Sequence, residues 1–311
     1  MKNILVTGAS GLLGSHIVKH LLKMHCHIIV SILPEEKLTY KPLEGVEVII
    51  NDDIFAGNIP HISTVINCAF ARSNQAQDLA NAIDFTKKLI NGFKIGNIDS
   101  IINISSQGVY KRLPIGQLST ESSPIEPIDL YSMAKYAVEK TFETSGLKYV
   151  TNVRLASINM KQRFLYHFVQ KAKNHETIII NSPNQYASIL DVEDAAEALA
   201  RLAMLSEQLR KPIYNLGTGN QTSLIEFAEL VNTIGEKYNA HANIIIQEND
   251  SINTAGVDIS LISTDCDWSP CMTNKMMIEK IPITHSSTSK CLSLCSFSLT
   301  ISSKRFSSSL L

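Results

Sequence analysis

The chain has 311 residues, 44% of them hydrophobic and 18% charged, with a formal net charge of −1. At roughly 100–200 residues per domain this allows two domains, or one large sheet with an appendage, and the low charged fraction leaves ample apolar sequence for a buried core. A near-neutral balance gives no electrostatic footprint for nucleic acid or an anionic membrane surface, both of which need clustered basic charge, so neither partner is expected. Six cysteines are too few and too scattered for a disulfide framework, so reduced thiols and a cytoplasmic location are expected. The first apolar run stops at Gly8 and the uncharged stretch after Cys291 is broken by serines, so neither a signal peptide nor a spanning segment is expected.

In chain order, Ile4–Val6 reads as a strand, and Leu13, Ile17, Leu21 and Met24 share one face of a helix that begins at Leu12. Strands are predicted at Ile28–Ile32, Val46–Ile50 and Thr64–Cys68, then a helix from Ala76 to Phe93. A strand at Ser100–Ser105, a proline-punctuated loop, a helix from Leu130 to Thr144 and a strand at Tyr149–Arg154 complete this part. Strands apolar on both faces, alternating with amphipathic helices, imply an α/β fold with a doubly wound parallel sheet. Beyond it, a helix at Phe164–Lys173, strands at Thr177–Ile180 and Ile213–Leu216 and helices from Asp191 and Ser223 suggest a smaller lobe, some elements of which return to the main sheet. Residues 1–155, 156–281 and 282–311 are expected to be, respectively, the sheet domain, the smaller lobe and a Ser-rich tail too poor in core-forming residues to order itself.

The first strand runs into Thr7-Gly8-Ala9-Ser10-Gly11-Leu12-Leu13-Gly14. Gly8 permits a tight turn, Gly11 lets a phosphate approach the backbone, and Gly14 lets the helix pack against the strand, whose following helix N-terminus favours an anion. Such a loop between strand and helix is expected to bind a dinucleotide. Near the end of the second strand, Ser31 stands where an acidic residue would select NAD through its ribose hydroxyl, which tilts the expectation toward NADPH over NAD. Asp53, after the third strand, is a candidate for the adenine amino group.

Ser106 ends the fifth strand, and Tyr131 and Lys135 lie one helical turn apart on the helix that follows. An ammonium beside a phenol lowers the phenol pKa toward usable acid/base chemistry, and a strand-terminal hydroxyl can bond the oxygen being oxidised or reduced.

Together, Thr7-Gly8-x-x-Gly11-x-x-Gly14, Asp53-Ile54, Asn67-Cys68-Ala69, Ser105-Ser106-x-x-Val109-Tyr110, Tyr131-x-x-x-Lys135, Asp191-Val192-x-Asp194-Ala195-Ala196, Tyr214-Asn215-Leu216-Gly217-Thr218-Gly219 and Trp268-Ser269-Pro270 resemble the extended short-chain dehydrogenase/reductases, specifically the NAD(P)-dependent nucleotide-sugar epimerase/dehydratase family. The resemblance spans residues 1–280 and implies a Rossmann domain, a nucleotide-sugar substrate, Tyr131 as acid/base, Lys135 as its partner and ribose ligand, and Ser106 as the substrate-oxygen ligand. It also implies cofactor contacts from Gly8, Gly11, Leu12, Leu13, Gly14, Asp53, Ile54, Ala69 and Lys135, and leaves a homodimer open.

Departures from the pattern narrow the chemistry. Sugar 4,6-dehydratases of the family carry Asp-Glu directly after the residue matching Ser106, whereas this chain has Gln107-Gly108. What remains is reduction of a 4-keto-deoxysugar nucleotide, favoured by Ser31; the family resemblance, with which the Ile/Asn/Lys-rich composition agrees, implies O-antigen (surface polysaccharide) synthesis, with a CDP-linked 3,6-dideoxyhexose as one candidate product. The alternative is 4-epimerisation with bound NAD. A non-catalytic dinucleotide sensor is the rival from another class, and the intact Ser106, Tyr131 and Lys135 argue against it. The loop after Arg154 is short, and Ala187 and Ser188 stand where relatives commonly carry an arginine. No metal site is expected, since the spacings of His16, His20, His25 and His27 and of the cysteines fit no ligand set.

Overall fold

The structure, a computed structural model, describes residues 1–70, 73–159, 164–249 and 254–282. In chain order the elements are β1 (Lys2–Thr7), α1 (Leu12–Leu21), β2 (Cys26–Ile32), β3 (Val46–Ile50), α2 (Asn51–Phe55), β4 (Thr64–Asn67), α3 (Ala76–Ile95), β5 (Ser100–Ser106), α4 (Leu130–Glu143) and β6 (Tyr149–Leu155). They continue with β7 (Ser157–Ile158), α5 (Phe164–Lys173), β8 (Thr177–Ile180), β9 (Tyr186–Ala187), β10 (Ile189–Leu190), α6 (Val192–Met204), β11 (Ile213–Leu216), β12 (Thr222–Ser223), α7 (Leu224–Gly235), β13 (Asn243–Ile246), α8 (Ser260–Cys266) and α9 (Asn274–Glu279).

Seven strands form one sheet in the order β3-β2-β1-β4-β5-β6-β11, every pair parallel. Alternation within each strand sends neighbouring residues to opposite helix layers. Ile4, Val6, Ile66, Ile102 and Val153 pack with Ile17 and Leu21 of α1 and Leu199 and Leu202 of α6. Leu5, Ile29, Val65 and Ile101 pack with Leu89 and Phe93 of α3 and Val138 and Phe142 of α4. Each such buried side chain contributes roughly 1.5–3 kcal/mol, which explains why strands with no polar face are stable only between two helix layers. The doubly wound α/β fold expected from the sequence is therefore present.

Strand β11 pairs with β6 through Ile213–Asn152 to Leu216–Leu155, and α6 lies against α1. These two elements from beyond residue 155 thus extend the main layers. A second core gathers Leu165, Val169, Phe227, Val231, Met277 and Ile278 of α5, α7 and α9 under the β8/β13 pair. The two-residue strands of the β7/β10 and β9/β12 pairs carry no periodicity a sequence could reveal. Helix α1 stops three residues before Met24 because the chain tightens there, Met24 N–H donating to Leu21 at 2.8 Å. Among the described residues no helix is long and apolar enough to cross a membrane. The Ser-rich tail expected after residue 282 lies outside the described residues.

Candidate active site

The glycine loop closes the end of β1. Gly8 has φ +67°, and a Cβ there would lie 2.9 Å from the Ala69 nitrogen, so the turn and the close approach of β1 to β4 both require glycine. A Cβ on Gly14 would sit 2.3 Å from the Gly8 oxygen, so α1 can pack this close only without one. Gly11 is different: a Cβ there would approach only the Gly8 oxygen, at 3.2 Å. It is the N-cap of α1 and supplies no side-chain acceptor, and the first turn holds no acidic residue. Unpaired N–H groups therefore face an open cradle in front of Leu12 and Leu13, which fits a pyrophosphate.

Asp53 and Ile54 lie in α2, at the β3 edge of the crevice. The Asp53 Oδ2 accepts from Ile50 N–H at 3.1 Å and so caps its own helix, while Ile54 is fully buried in the core. Ser31 is buried with no hydrogen-bond partner for its hydroxyl.

Across the sheet, α4 begins at Asp129, whose carboxylate accepts from Ser132 N–H at 2.8 Å. This cap places Tyr131 in the first turn and Lys135 one turn on, facing β5. The Lys135 ammonium donates to Ile104 O at 2.8 Å and lies 4.0 Å from the centroid of the Phe70 ring and 5.8 Å from that of Tyr131. Phe70 meets the Tyr131 ring edge-on, with centroids 5.9 Å apart. Burial pushes the Lys135 pKa down to about 7, against the opposing pull of Cys68 and Glu139. The Cys68 thiol is pushed up to about 12 by burial, with Lys135 partly opposing, and is no nucleophile.

Ser106 sits at the end of β5, its hydroxyl accepting from Gly108 N–H at 3.1 Å. A Cβ on Gly108 would lie 2.4 Å from the Ser132 hydroxyl oxygen, so the loop packs closely on the start of α4 and a side chain there would have to turn that hydroxyl aside. Gln107 lines a cavity of about 120 Å³ with Gly108, Tyr110, Asp129, Thr254 and Gly256, and its side-chain amide oxygen Oε1 is buried without a hydrogen-bond partner among the described residues. Structure thus brings Ser106, Tyr131 and Lys135 to one end of β5 and α4, with Gly8, Gly11, Leu12, Leu13, Gly14 and Ala69 beside them at β1 and β4.

Several residues of this region are not apparent from local sequence. Phe70 forms the floor under Lys135. Glu139, two turns beyond Tyr131 on the same face, is fully buried against Arg154 of β6 and accepts from Ser105; the repeated i+4 spacing of Tyr131, Lys135 and Glu139 is the signal that points to it. His16 and His20 both reach Glu193 on α6, at 3.5 and 3.0 Å, through side chains the sequence could not bring together.

Residues 4–217 match the NAD dependent epimerase/dehydratase family. A putative UDP-glucose 4-epimerase of Methanocaldococcus jannaschii is 25% identical over 264 residues, 73% of this chain and 81% of that protein. A low-salt glycan biosynthesis protein of Haloferax volcanii is 26% identical over 257 residues, 74% of this chain and 81% of that protein. Among solved structures, UDP-glucuronic acid 4-epimerase from Bacillus cereus in complex with UDP-glucuronic acid and NAD superposes with a TM-score of 0.73 at 18% identity, covering 90% of this chain and 97% of that one. With the family match spanning most of the parallel sheet and both halves of the crevice, the chain belongs to the NAD dependent epimerase/dehydratase family.

Proposed function

We propose that the chain works at C4 of a nucleotide-linked hexose, interconverting C4 epimers through a transient 4-ketone. The observation that carries this is the single acid/base at the site. Tyr131 stands beside the buried amine of Lys135, and the two positions after Ser106, where dehydratases of the family carry further acid/base groups, hold Gln107 and Gly108, neither of which can exchange a proton. Dehydration, which needs two further proton-transfer groups, does not fit this loop.

A bound nicotinamide dinucleotide would supply the hydride acceptor and donor that oxidation and re-reduction at C4 require. Gly8, Gly11 and Gly14 shape the cradle for its pyrophosphate, and Lys135 offers Nζ protons to the ribose. Ser106 donates to the C4 oxygen. Tyr131 takes the proton from that oxygen as the ketone forms and gives it back as the alcohol re-forms, an exchange that requires only one group on one side. The name of the Methanocaldococcus relative supports epimerisation, and that of the Haloferax protein supports a place in glycan assembly.

Net reduction of a 4-keto-deoxysugar nucleotide, as in O-antigen synthesis, is the second reading, favoured by Ser31. Without a carboxylate at this point the pocket does not repel a 2′-phosphate, so NADPH is the reductant this reading expects. Purified protein given UDP-hexoses, or 4-keto sugar nucleotides with NADPH or NADH, separates the two. Sugar interconversion without net change in nicotinamide absorbance supports the epimerase, and consumption of reduced nicotinamide supports the reductase. Dinucleotide binding with neither outcome sinks both in favour of a sensor.

A further inference from the structure

Four polar side chains lie in one register row across the middle of the sheet. Thr7, Asn67, Asn103 and Asn152 stand side by side on β1, β4, β5 and β6, none more than 3% exposed. Each donates to the next: Thr7 Oγ1 to Asn67 Oδ1 at 2.7 Å, Asn67 Nδ2 to Asn103 Oδ1 at 3.1 Å, and Asn103 Nδ2 to Asn152 Oδ1 at 2.9 Å. Asn152 Nδ2 then donates to Glu143 Oε1 on α4 at 3.3 Å. The direction never reverses, so the bond dipoles add and the row ends on a carboxylate, each bond polarising its neighbour.

Two residues toward the strand starts, the matching row is apolar: Leu5, Val65, Ile101 and Val150. Burial of the strand faces penalises a slip by one residue, but a slip by two returns similar apolar side chains to the same layers, so the Ile and Val pattern alone does not exclude it. Such a slip moves a strand by about 6.6 Å, at about 3.3 Å per residue. In the row of amides it would leave buried donors and acceptors unpaired, which is the costly state of a hydrogen-bonding group. The row therefore supplies the register information that the surrounding Ile and Val lack.

Strand order reverses between β1 and β4, with β2 and β3 on one side and β5 and β6 on the other. A dinucleotide lies across such a switch point, one mononucleotide half to each side. The Thr7–Asn67 bond crosses it directly beneath Gly8. Asn103 immediately precedes Ile104, whose carbonyl receives Lys135, and lies three residues before Ser106.

We propose that this row is a register lock that holds the two halves of the dinucleotide crevice at one height, with Asn103 as the positioning residue at its centre. Asn103→Leu keeps the number and branching of the side-chain heavy atoms and removes the two central bonds, while the near-isosteric Thr7→Val removes one hydroxyl at the switch point. ADP, which occupies one half of the crevice, and NADH, which spans both, are titrated calorimetrically against the wild-type chain and each variant. The expected result is ADP affinity within about twofold of wild type and NADH affinity weaker by about fivefold or more, the scale of one lost buried hydrogen bond. Parallel loss of both affinities, or loss of neither, overturns the lock. If Asn103→Leu does not fold, Thr7→Val decides alone. Because no sugar enters this measurement, its outcome is independent of the C4 reaction.

Discussion

Arg154 of β6 and Glu139 of α4 are joined by two hydrogen bonds, Nη2 to Oε2 at 2.8 Å and Nε to Oε1 at 3.1 Å, with neither side chain more than 3% exposed. The guanidinium also lies 4.7 Å from the Tyr110 ring centroid, and the Tyr110 hydroxyl donates to Asn215 of β11 at 2.7 Å. The helix that carries Tyr131 and Lys135 is thereby tied to β5, β6 and β11. Glu139→Gln leaves a buried guanidinium without its counter-charge, and a loss of roughly 3–5 kcal/mol is expected. A chemical denaturation midpoint equal to wild type would show that the pair is not needed for stability.

Tyr131→Phe removes the hydroxyl proposed to exchange a proton with the substrate C4 oxygen and keeps the ring that packs on Phe70. Turnover is expected to fall by about 10²–10⁴-fold, the usual contribution of a positioned acid/base, with dinucleotide affinity preserved. Equal turnover in the variant would remove Tyr131 from the mechanism.

Lys135 makes stability depend on pH in a definite direction. Its folded-state pKa, lowered by burial to about 7, lies below the ordinary lysine value of 10.5, so between these limits the unfolded chain binds more protons. Stability from this group therefore rises as pH increases from about 7 toward 10.5 and is flat below 7. Thermal unfolding of wild type and Lys135→Met across pH 6 to 10, values chosen to bracket that window, should show the wild type gaining relative to the variant only above neutrality. A constant difference would contradict the burial of a titrating amine.

Glycines of the loop are expected to fail in different ways. Gly14→Ala forces a methyl against the Gly8 carbonyl, and overpacking of this kind costs about 1–3 kcal/mol. Gly11→Ala meets only one atom at 3.2 Å and should leave stability nearly unchanged while weakening dinucleotide binding, because its methyl enters the cradle. Melting temperature and NADH titration on both variants distinguish packing from ligand approach.

Restoring the dehydratase pair as Gln107→Asp with Gly108→Glu should not create a dehydratase. The glutamate has to turn aside the Ser132 hydroxyl at the start of α4, so the expected outcome is a less stable protein with no elimination product when it is incubated with a nucleotide hexose and assayed by mass. A water-loss product would show that the loop can rearrange.

Local pattern was enough to reveal much of this molecule. The alternation of Val/Ile runs with amphipathic helices, the glycine spacing after β1, and the one-turn separation of Tyr131 and Lys135 are all properties of short stretches, where side-chain periodicity dictates the element and its buried face. Sequence reasoning also recognised that Gln107-Gly108 departs from a dehydratase. It assigned Asp53 to adenine without revealing that the same carboxylate caps α2, since a cap depends on the backbone conformation three residues earlier.

By itself, then, the sequence determined the order of elements, the parallel sheet and the residue types at the site. Tertiary structure alone decided that β11 joins β6, that Phe70 underlies Lys135, and that the lysine's pKa falls rather than remains that of a solvated ammonium. It also decided that Thr7, Asn67, Asn103 and Asn152 share a row. The physical reason is common to all four: strand register and burial are set by contacts between residues far apart in the chain, and desolvation is a property of the packed interior rather than of any segment.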